Sequence, residues 1–374
     1  MYSDTQRIAQ LAPLSEVLAR IDASVRPVSP RDADVGTALD RILAEDVVAP
    51  VGRPAAAIAL RDGWAVGTDA IADASSYTPM PLPAVPPRVE VGEQLPGTAD
   101  AVALLDAIVV RDGRAEAIAP VTPGEGLLPA QADAVPGMPL GRAGERLRAL
   151  DAAVFDALGI ERVRIREPQL RITCVGAPGD VIDAAYALIA GLAAREGAAV
   201  IGDAATAGDN SLEAALHHEA ADAVIVLGGT GCGRRDASVR TLGRAGRVDI
   251  HGMALAPGDT AAFGFVGARA VLLLPGRLDA ALAVWLVIGR RLLARLSGHA
   301  EADAAVRVEL ARKISSTVGM TEVVPVRRRG DAVEPLATGY FPLHTLAKAD
   351  GWILVPAESE GFPAGAKVAV RPLP

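Results

Sequence analysis

The chain has 374 residues, 51% of them hydrophobic and 22% charged, with a formal net charge of −8. That length exceeds one ordinary domain, the composition excludes global disorder, and the acid excess excludes general nucleic-acid binding through phosphate contacts. With only 3 Trp, 4 Tyr and 5 Phe, the core has to be built from Ala, Val, Leu and Ile. The basic runs at 290–291 and 327–329 read as solvated surface. The cysteines, Cys174 and Cys232, lack a CxxC neighbour, so no disulfide framework or zinc knuckle is expected, which suits a reducing cytoplasm. Charges run through the first stretch of chain, unlike a signal peptide. AALAVWLVIG (280–289) is too short to span a bilayer and reads as a buried helix.

In chain order, residues 13–49 read as two helices. Ser15 is the expected cap of the first, which carries Leu18 and Ile21 on one face; the second carries Val35, Leu39, Ile42 and Leu43. Residues 66–124 change character. The proline-rich stretch 78–97 excludes helix interiors and central strands, and short β segments predict a small β-rich insertion. Residues 134–166 return to helix, with Gly159 as a C-cap. From 169 strands and helices alternate. Strands are expected at 170–175, 198–201, 223–227 and 270–274, and helices near 181–196, 211–220, 236–243 and 278–297. That alternation predicts a mostly parallel sheet covered on both faces, with ligands at the carboxyl ends of its strands. Residues 304–374 read as strands of a small barrel or sandwich.

VLGGTGCGRRD (226–236) runs from a strand into a helix and places Gly228, Gly229, Gly231 and Gly233 within six positions. Glycine permits positive φ and close approach of backbone to a ligand. Several N–H groups are expected to face one concavity, with the Thr230 hydroxyl as a further donor. A helix beginning near Asp236 would add its N-terminal dipole. The pattern predicts an anion site. It is not a P-loop, since GxxxxGK[ST] is absent, and it lacks the GxGxxG spacing of dinucleotide folds. The alternative is a tight strand–helix turn with no ligand. His251, in DIHGMAL (249–255), has no metal-spaced partner and reads as structural.

The loop is one of a series. In order, ALDRILAEDVVAP (38–50), LRDGWAV (60–66), PGTADAV (96–102), GGTGCGRRD (228–236), LAPGDTAAFG (255–264) and LLPG (273–276) resemble the MoeA/gephyrin family of molybdenum-cofactor biosynthesis proteins over nearly the whole chain. The family's MDGYA box looks like Arg61–Ala65, and its GGxSxGxxD loop looks like Gly228–Asp236. The resemblance implies an α/β plus β, multidomain fold. Its parts would be a discontinuous helical domain (1–64 and 125–167), a β-rich insertion (65–124), a molybdopterin-binding α/β domain (168–302) and a C-terminal β-barrel-like domain (303–374). It implies a cytoplasmic homodimer that binds adenylylated molybdopterin, inserts molybdate and releases AMP with Mg²⁺ assisting. A molybdoenzyme or other cofactor-assembly proteins are the implied partners, with no nucleic acid and no membrane.

Carried over residue by residue, the resemblance makes Asp62, Asp133 and Asp236 the acidic residues of the catalytic cleft. Asp133 and Asp236 would be Mg²⁺ ligands and Asp183 a further acid for the cofactor. Carboxylates beside a phosphate suit Mg²⁺. Gly228, Gly229, Thr230, Gly231, Gly233, Arg234 and Arg277 would hold the cofactor. The chain departs from the family in charge. Where the family's KPGKP segment has two lysines, this chain has Ala256 and Asp259. At about 6 Å from a pyrophosphate and an effective dielectric of about 20, each lost charge is worth about 3 kcal/mol before screening. Arg234, Arg235 and Arg277, which replaces an asparagine, are one set of expected replacement cations, since guanidinium grips phosphate bidentately; the alternative has Arg234 and Arg235 facing solvent at a helix start. Further polar positions of the family are Leu128, Gly231 and Val91 here. The two readings are a molybdenumtransferase with an altered site and a non-catalytic carrier, sensor or scaffold for molybdopterin. A nicotinamide dehydrogenase would need a fingerprint this chain lacks.

Overall fold

Four runs of mostly aliphatic residues build the main sheet of the larger contact unit. In this computed structural model, which describes residues 6–176, 179–201, 206–207, 209–299 and 305–373, they are the strands Gln169–Val175, Ala199–Ile201, Ala223–Leu227 and Arg269–Leu274. Their order is 199–201, 169–175, 223–227, 269–274, all parallel. Alternate residues serve opposite faces, as a pleated strand requires. Ile172, Cys174, Ile225, Leu227, Leu272 and Leu274 join one core. Val224, Val226, Val271 and Leu273 join the other. The helix Asp180–Arg195 and the segments from Leu278 to Ser297 contribute to the first; the helices Asp209–Leu216 and Ser238–Ala245 contribute to the second. The expected parallel sheet, covered on both faces, is present.

The edge of this sheet differs from expectation. Two further strands, Arg247–His251 and Ala262–Val266, extend it antiparallel. Gly264, inside AFGFV, looks like a strand breaker. A Cβ there would lie 2.2 Å from the Arg247 carbonyl oxygen, so the neighbouring strand's approach demands glycine. The single helix expected over 278–297 is interrupted by a π-turn at Trp285–Gly289. A Cβ at Gly289 would meet Trp285 Cε3 at 2.4 Å, so the bulky buried indole sits where the missing side chain would be.

By contacts the chain divides into two units: Met1–Glu45, Ala143–Arg148 and Arg162–Pro374 form one, Asp46–Arg142 and Ala149–Glu161 the other. In the first, the helix Leu14–Ser24 buries Val17 and Ile21. Pro13, not Ser15, precedes its first turn, and no side chain caps it. The second expected helix does not form. Val35–Thr37 is a 3-10 turn, and Ile42–Leu43 is a strand paired with Ile165 and Arg166. Asp40 takes a left-handed φ of 64°, which ends any helix, so spacing that looks helical instead serves turn and strand. Asp22 receives Arg291 Nε at 2.8 Å and Nη2 at 2.7 Å, tying this helix to Arg290–Ser297. That hydrogen bond holds the Asp22 carboxyl below its ordinary value. A depressed carboxylate stabilises above its unfolded pKa and loses that contribution as pH falls through the folded one. The thermal midpoint of Asp22→Asn is therefore expected to lie below wild type at pH 7 and to converge with it below about pH 4. Equal midpoints at both pH values would mean that the pair contributes nothing.

The C-terminal strands Val306–Leu310, Thr321–Arg329, Ala332–Pro335, Gly351–Val355 and Lys367–Pro372 close into a five-stranded barrel, because Thr321–Arg329 pairs with both its ring neighbours. Leu255–Ala256 adds in parallel to Thr321–Glu322. In the second unit, short sheets surround the strand Gly63–Val66, which lies between Arg88–Val89 and Ala101–Ala103. Of residues 134–166, only Ala149–Ala157 is helical, ending before Gly159 at φ 73°. Arg162–Arg166 is instead a strand of the first unit, paired with Arg31–Asp34. No helix among the described residues is long and apolar enough to cross a membrane.

Candidate functional site

The glycine loop leaves the carboxyl end of the central strand Ala223–Leu227, between the ends of its two parallel neighbours. Gly228 and Gly229 have φ of 94° and 70°. A Cβ on Gly228 would stand 2.3 Å from the Val175 carbonyl oxygen, and one on Gly229 would stand 2.3 Å from Ser238 Oγ. The loop is therefore packed closely, Gly228 against the Val175 backbone and Gly229 against the Ser238 side chain. The Gly228 N–H donates to Leu274 O at 2.8 Å, and the buried Ser238 hydroxyl donates to Gly228 O at 2.8 Å. The helix behind the loop starts at Ser238, two residues later than expected.

Asp236 Oδ2 accepts the Gly233 N–H at 2.8 Å, so part of its carboxylate is spent closing the loop. Thr230 is 2% exposed, with its hydroxyl 3.0 Å from that of Thr260. His251 Nε2 donates to Thr230 O at 3.0 Å. Gln6 Nε2 donates to Gly229 O at 2.7 Å and to Gly231 O at 2.6 Å. Among the described residues, the N–H groups of Thr230, Gly231 and Cys232 have no hydrogen-bond partner. Arg234 and Arg235 are exposed. N–H groups without a partner among the described residues, exposed guanidinium groups and a helix N-terminus together make a place for an anion.

Beside the loop lies a cavity of about 280 Å³, lined by Ala256, Gly258, Asp259, Thr260, Arg277 and Met320 among others. Thr260 links it to Thr230. Arg277 lies on the cavity wall, but Asp279 engages it: Nε reaches Oδ1 at 3.1 Å and Nη2 reaches Oδ2 at 2.6 Å. Asp279 is 3% exposed and also accepts the Phe341 N–H at 3.2 Å. The guanidinium lies 5.1 Å from the Tyr340 ring centroid. The hydrogen bonds that Arg277 donates to Asp279 lead the influences that hold the guanidinium proton above its ordinary value. An anion recruiting Arg277 would have to share it with a buried carboxylate.

Asp183 is exposed on the helix Asp180–Arg195. Burial pushes the Cys174 thiol up to about 11, with the Asp183 charge adding to it. In the second unit Asp62 is exposed and accepts the Val91 N–H at 3.0 Å, while Asp133 is exposed. The box Arg61–Ala65 has a local structural function. Arg61 Nε donates to Val102 O at 2.9 Å, and a Cβ at Gly63 would lie 2.1 Å from Ala103 O. Trp64 is half-buried and donates to Leu105 O at 3.2 Å. Asp62 and Asp133 thus belong to one unit, and Asp183, Asp236 and the glycine loop to the other. Among the described residues no three His, Cys, Asp or Glu side chains gather as a metal cage. A Mg²⁺ ion held by one or two of these carboxylates would complete its shell with water and substrate phosphate oxygens.

Gln6, Ser238 and Thr260 were not singled out by the sequence reading. Ser238, at a helix start behind a glycine loop, carried a usable signal; Gln6, 223 positions from Gly229, carried none.

Family models for the MoeA N-terminal region (domains I and II), for a "Probable molybdopterin binding domain" and for the MoeA C-terminal region (domain IV) match residues 12–159, 158–295 and 307–373. A Methanocaldococcus jannaschii protein named "Putative molybdopterin biosynthesis protein" is 27% identical over 91% of both chains. Molybdopterin molybdenumtransferase 1 of Mycobacterium tuberculosis is 29% identical over 76% of this chain and 73% of its own. The crystal structure of the molybdopterin biosynthesis MoeA protein from Pyrococcus horikoshii superposes with a TM-score of 0.78 at 25% identity, covering 96% of this chain and 98% of the other. With these models matched in order over almost its whole length, the chain belongs to the MoeA family and to molybdenum cofactor biosynthesis.

Proposed function

We propose that this chain binds molybdopterin by its phosphate on the glycine loop and acts at the molybdate-insertion stage of cofactor assembly. The observation that carries this reading is the loop itself, at the carboxyl end of the central strand, with N–H groups that have no partner among the described residues. A relative of the same family is named as a molybdopterin molybdenumtransferase, which supports the same chemistry. In this reading Thr230, Gly231 and Cys232 donate backbone N–H groups to the phosphate, and Arg234 and Arg235 supply charge. The cavity beside Thr260 takes an adjoining part of the ligand.

A second reading, a carrier or sensor without catalysis, draws on the cavity wall. Asp259 and Ala256 stand where the resemblance calls for lysines, and Arg277 is already engaged by Asp279. One assay separates the two. The protein is mixed with adenylylated molybdopterin, Mg²⁺ and molybdate, and AMP release and pterin retention are followed together. Molybdate-dependent AMP release is the expected result. Retention without AMP release assigns a carrier, and the loss of both overturns the proposal.

A further inference from the structure

Three consecutive carbonyls of the glycine loop are held from outside the loop. Gln6 Nε2 takes those of Gly229 and Gly231, and His251 Nε2 takes that of Thr230. A trans peptide is planar, so each carbonyl points opposite to the N–H of the following residue. Holding these three carbonyls therefore fixes the directions of the Thr230, Gly231 and Cys232 N–H groups, the ones without a partner among the described residues. It also occupies the oxygens of Thr230 and Gly231, which would otherwise be free to turn and repel an anion, and adds to the Ser238 N–H that already donates to Gly229 O at 3.1 Å.

Gln6 is not loosely placed. It is 6% exposed, and its segment is anchored further along. The Ala12 N–H donates to Gly252 O at 3.0 Å, and the Ala254 N–H donates to Ala12 O at 2.8 Å. Gly252, at φ 92°, lies under this segment; a Cβ there would meet Ile8 Cγ2 at 2.4 Å. The same crossing puts the segment next to His251. Gln6 Oε1 is buried without a partner among the described residues. A residue that only filled this space would be cheaper as methionine, which leaves no orphaned oxygen. The amide is justified by its donors.

We propose that Gln6 and His251 are positioning residues of the anion site, setting the loop peptides so that their N–H groups meet a phosphate. The proposal rests on reading the loop as a phosphate site. It assigns a function in phosphate recognition to the segment 6–12, far from the loop in sequence.

The test uses the full chain and isosteric variants. Gln6→Met keeps the volume and removes both donors. Gln6→Glu sets a carboxylate against two carbonyl oxygens. His251→Ala removes the third donor, and His251→Gln returns one. The probes are inorganic phosphate, titrated by ³¹P NMR, and molybdopterin before and after phosphatase treatment, read by fluorescence of its oxidised form. Thermal midpoints are recorded alongside. We expect Gln6→Met and His251→Ala to weaken binding of the phosphorylated probe about tenfold, Gln6→Glu to weaken it more, and His251→Gln to recover most of the loss. Retention of the dephosphorylated pterin should not change. Variants that bind the phosphorylated probe like wild type overturn the proposal and leave the functional reading intact. So does an equal loss for both pterin forms, which marks a merely structural role. A wild-type protein that binds neither phosphate nor molybdopterin overturns both.

Discussion

Gly228→Ala is expected to destabilise the protein by about 3–5 kcal/mol and to abolish phosphate binding. A non-glycine residue at positive φ already costs about 1–2 kcal/mol. At Gly228 the added Cβ also meets the Val175 carbonyl oxygen at 2.3 Å, and that oxygen is backbone of the adjacent strand. It cannot swing aside as a side chain would. Either the strand Gln169–Val175 shifts or the Gly228 N–H leaves Leu274 O, which opens the loop. Urea unfolding with the slope held constant measures the cost. Gly267→Ala is the matched control: its φ is 61°, but nothing lies within 4 Å of the added atom. Only the conformational cost is expected there. Equal midpoints for the two variants would show that the Val175 contact is not limiting.

Arg277→Ala is expected to cost about 2–4 kcal/mol, whatever it does to ligand binding. Asp279 is 3% exposed, and its two oxygens face the Arg277 guanidinium. Among the described residues, removing the cation leaves a buried carboxylate with the Phe341 N–H on one oxygen and no other hydrogen bond. The arginine side chain is 59% exposed, so solvent screens part of the pair and the cost stays below that of a fully buried one. Asp279→Asn in the Arg277→Ala background should recover about half of the loss, because the buried charge is gone. A double-mutant cycle on thermal midpoints checks this, and an unstable double variant with a stable Arg277→Ala would refute it. The cycle also has a use in the binding experiment. Loss of pterin affinity in Arg277→Ala counts as loss of a phosphate contact only where Asp279→Asn restores stability and not affinity.

The parallel sheet was legible because its strands are consecutive aliphatic residues buried on both faces, a pattern few other elements share. Its antiparallel edge was harder to read, since Gly264 and Gly246 sit where neighbouring backbones come close. A Cβ at Gly246 would lie 2.0 Å from Phe265 O, and nothing local records that neighbour. The false helix over 35–43 came from spacing alone, where the left-handed Asp40 decided the outcome. In the site, the glycines were readable from composition, because only their backbone freedom explains them. The ties on the loop were not. Gln6 reaches it across 223 positions, and a glutamine in a polar stretch has no local signature of burial. Arg277 and Asp279 are close in sequence, yet the spacing alone does not reveal that the carboxylate is buried and the guanidinium turned onto it.

The strand Ala223–Leu227 makes the molecule sensitive to parity. Its odd positions, Ile225 and Leu227, belong to one core, and its even positions, Val224 and Val226, to the other. Losing or gaining one residue there would exchange the larger and smaller sets between two cores shaped for the opposite arrangement, and would turn the first loop glycine through half a pleat. Losing or gaining two would keep the facing and change only the reach. Length variation in this strand is thus admissible in steps of two, and the loop it carries inherits that constraint.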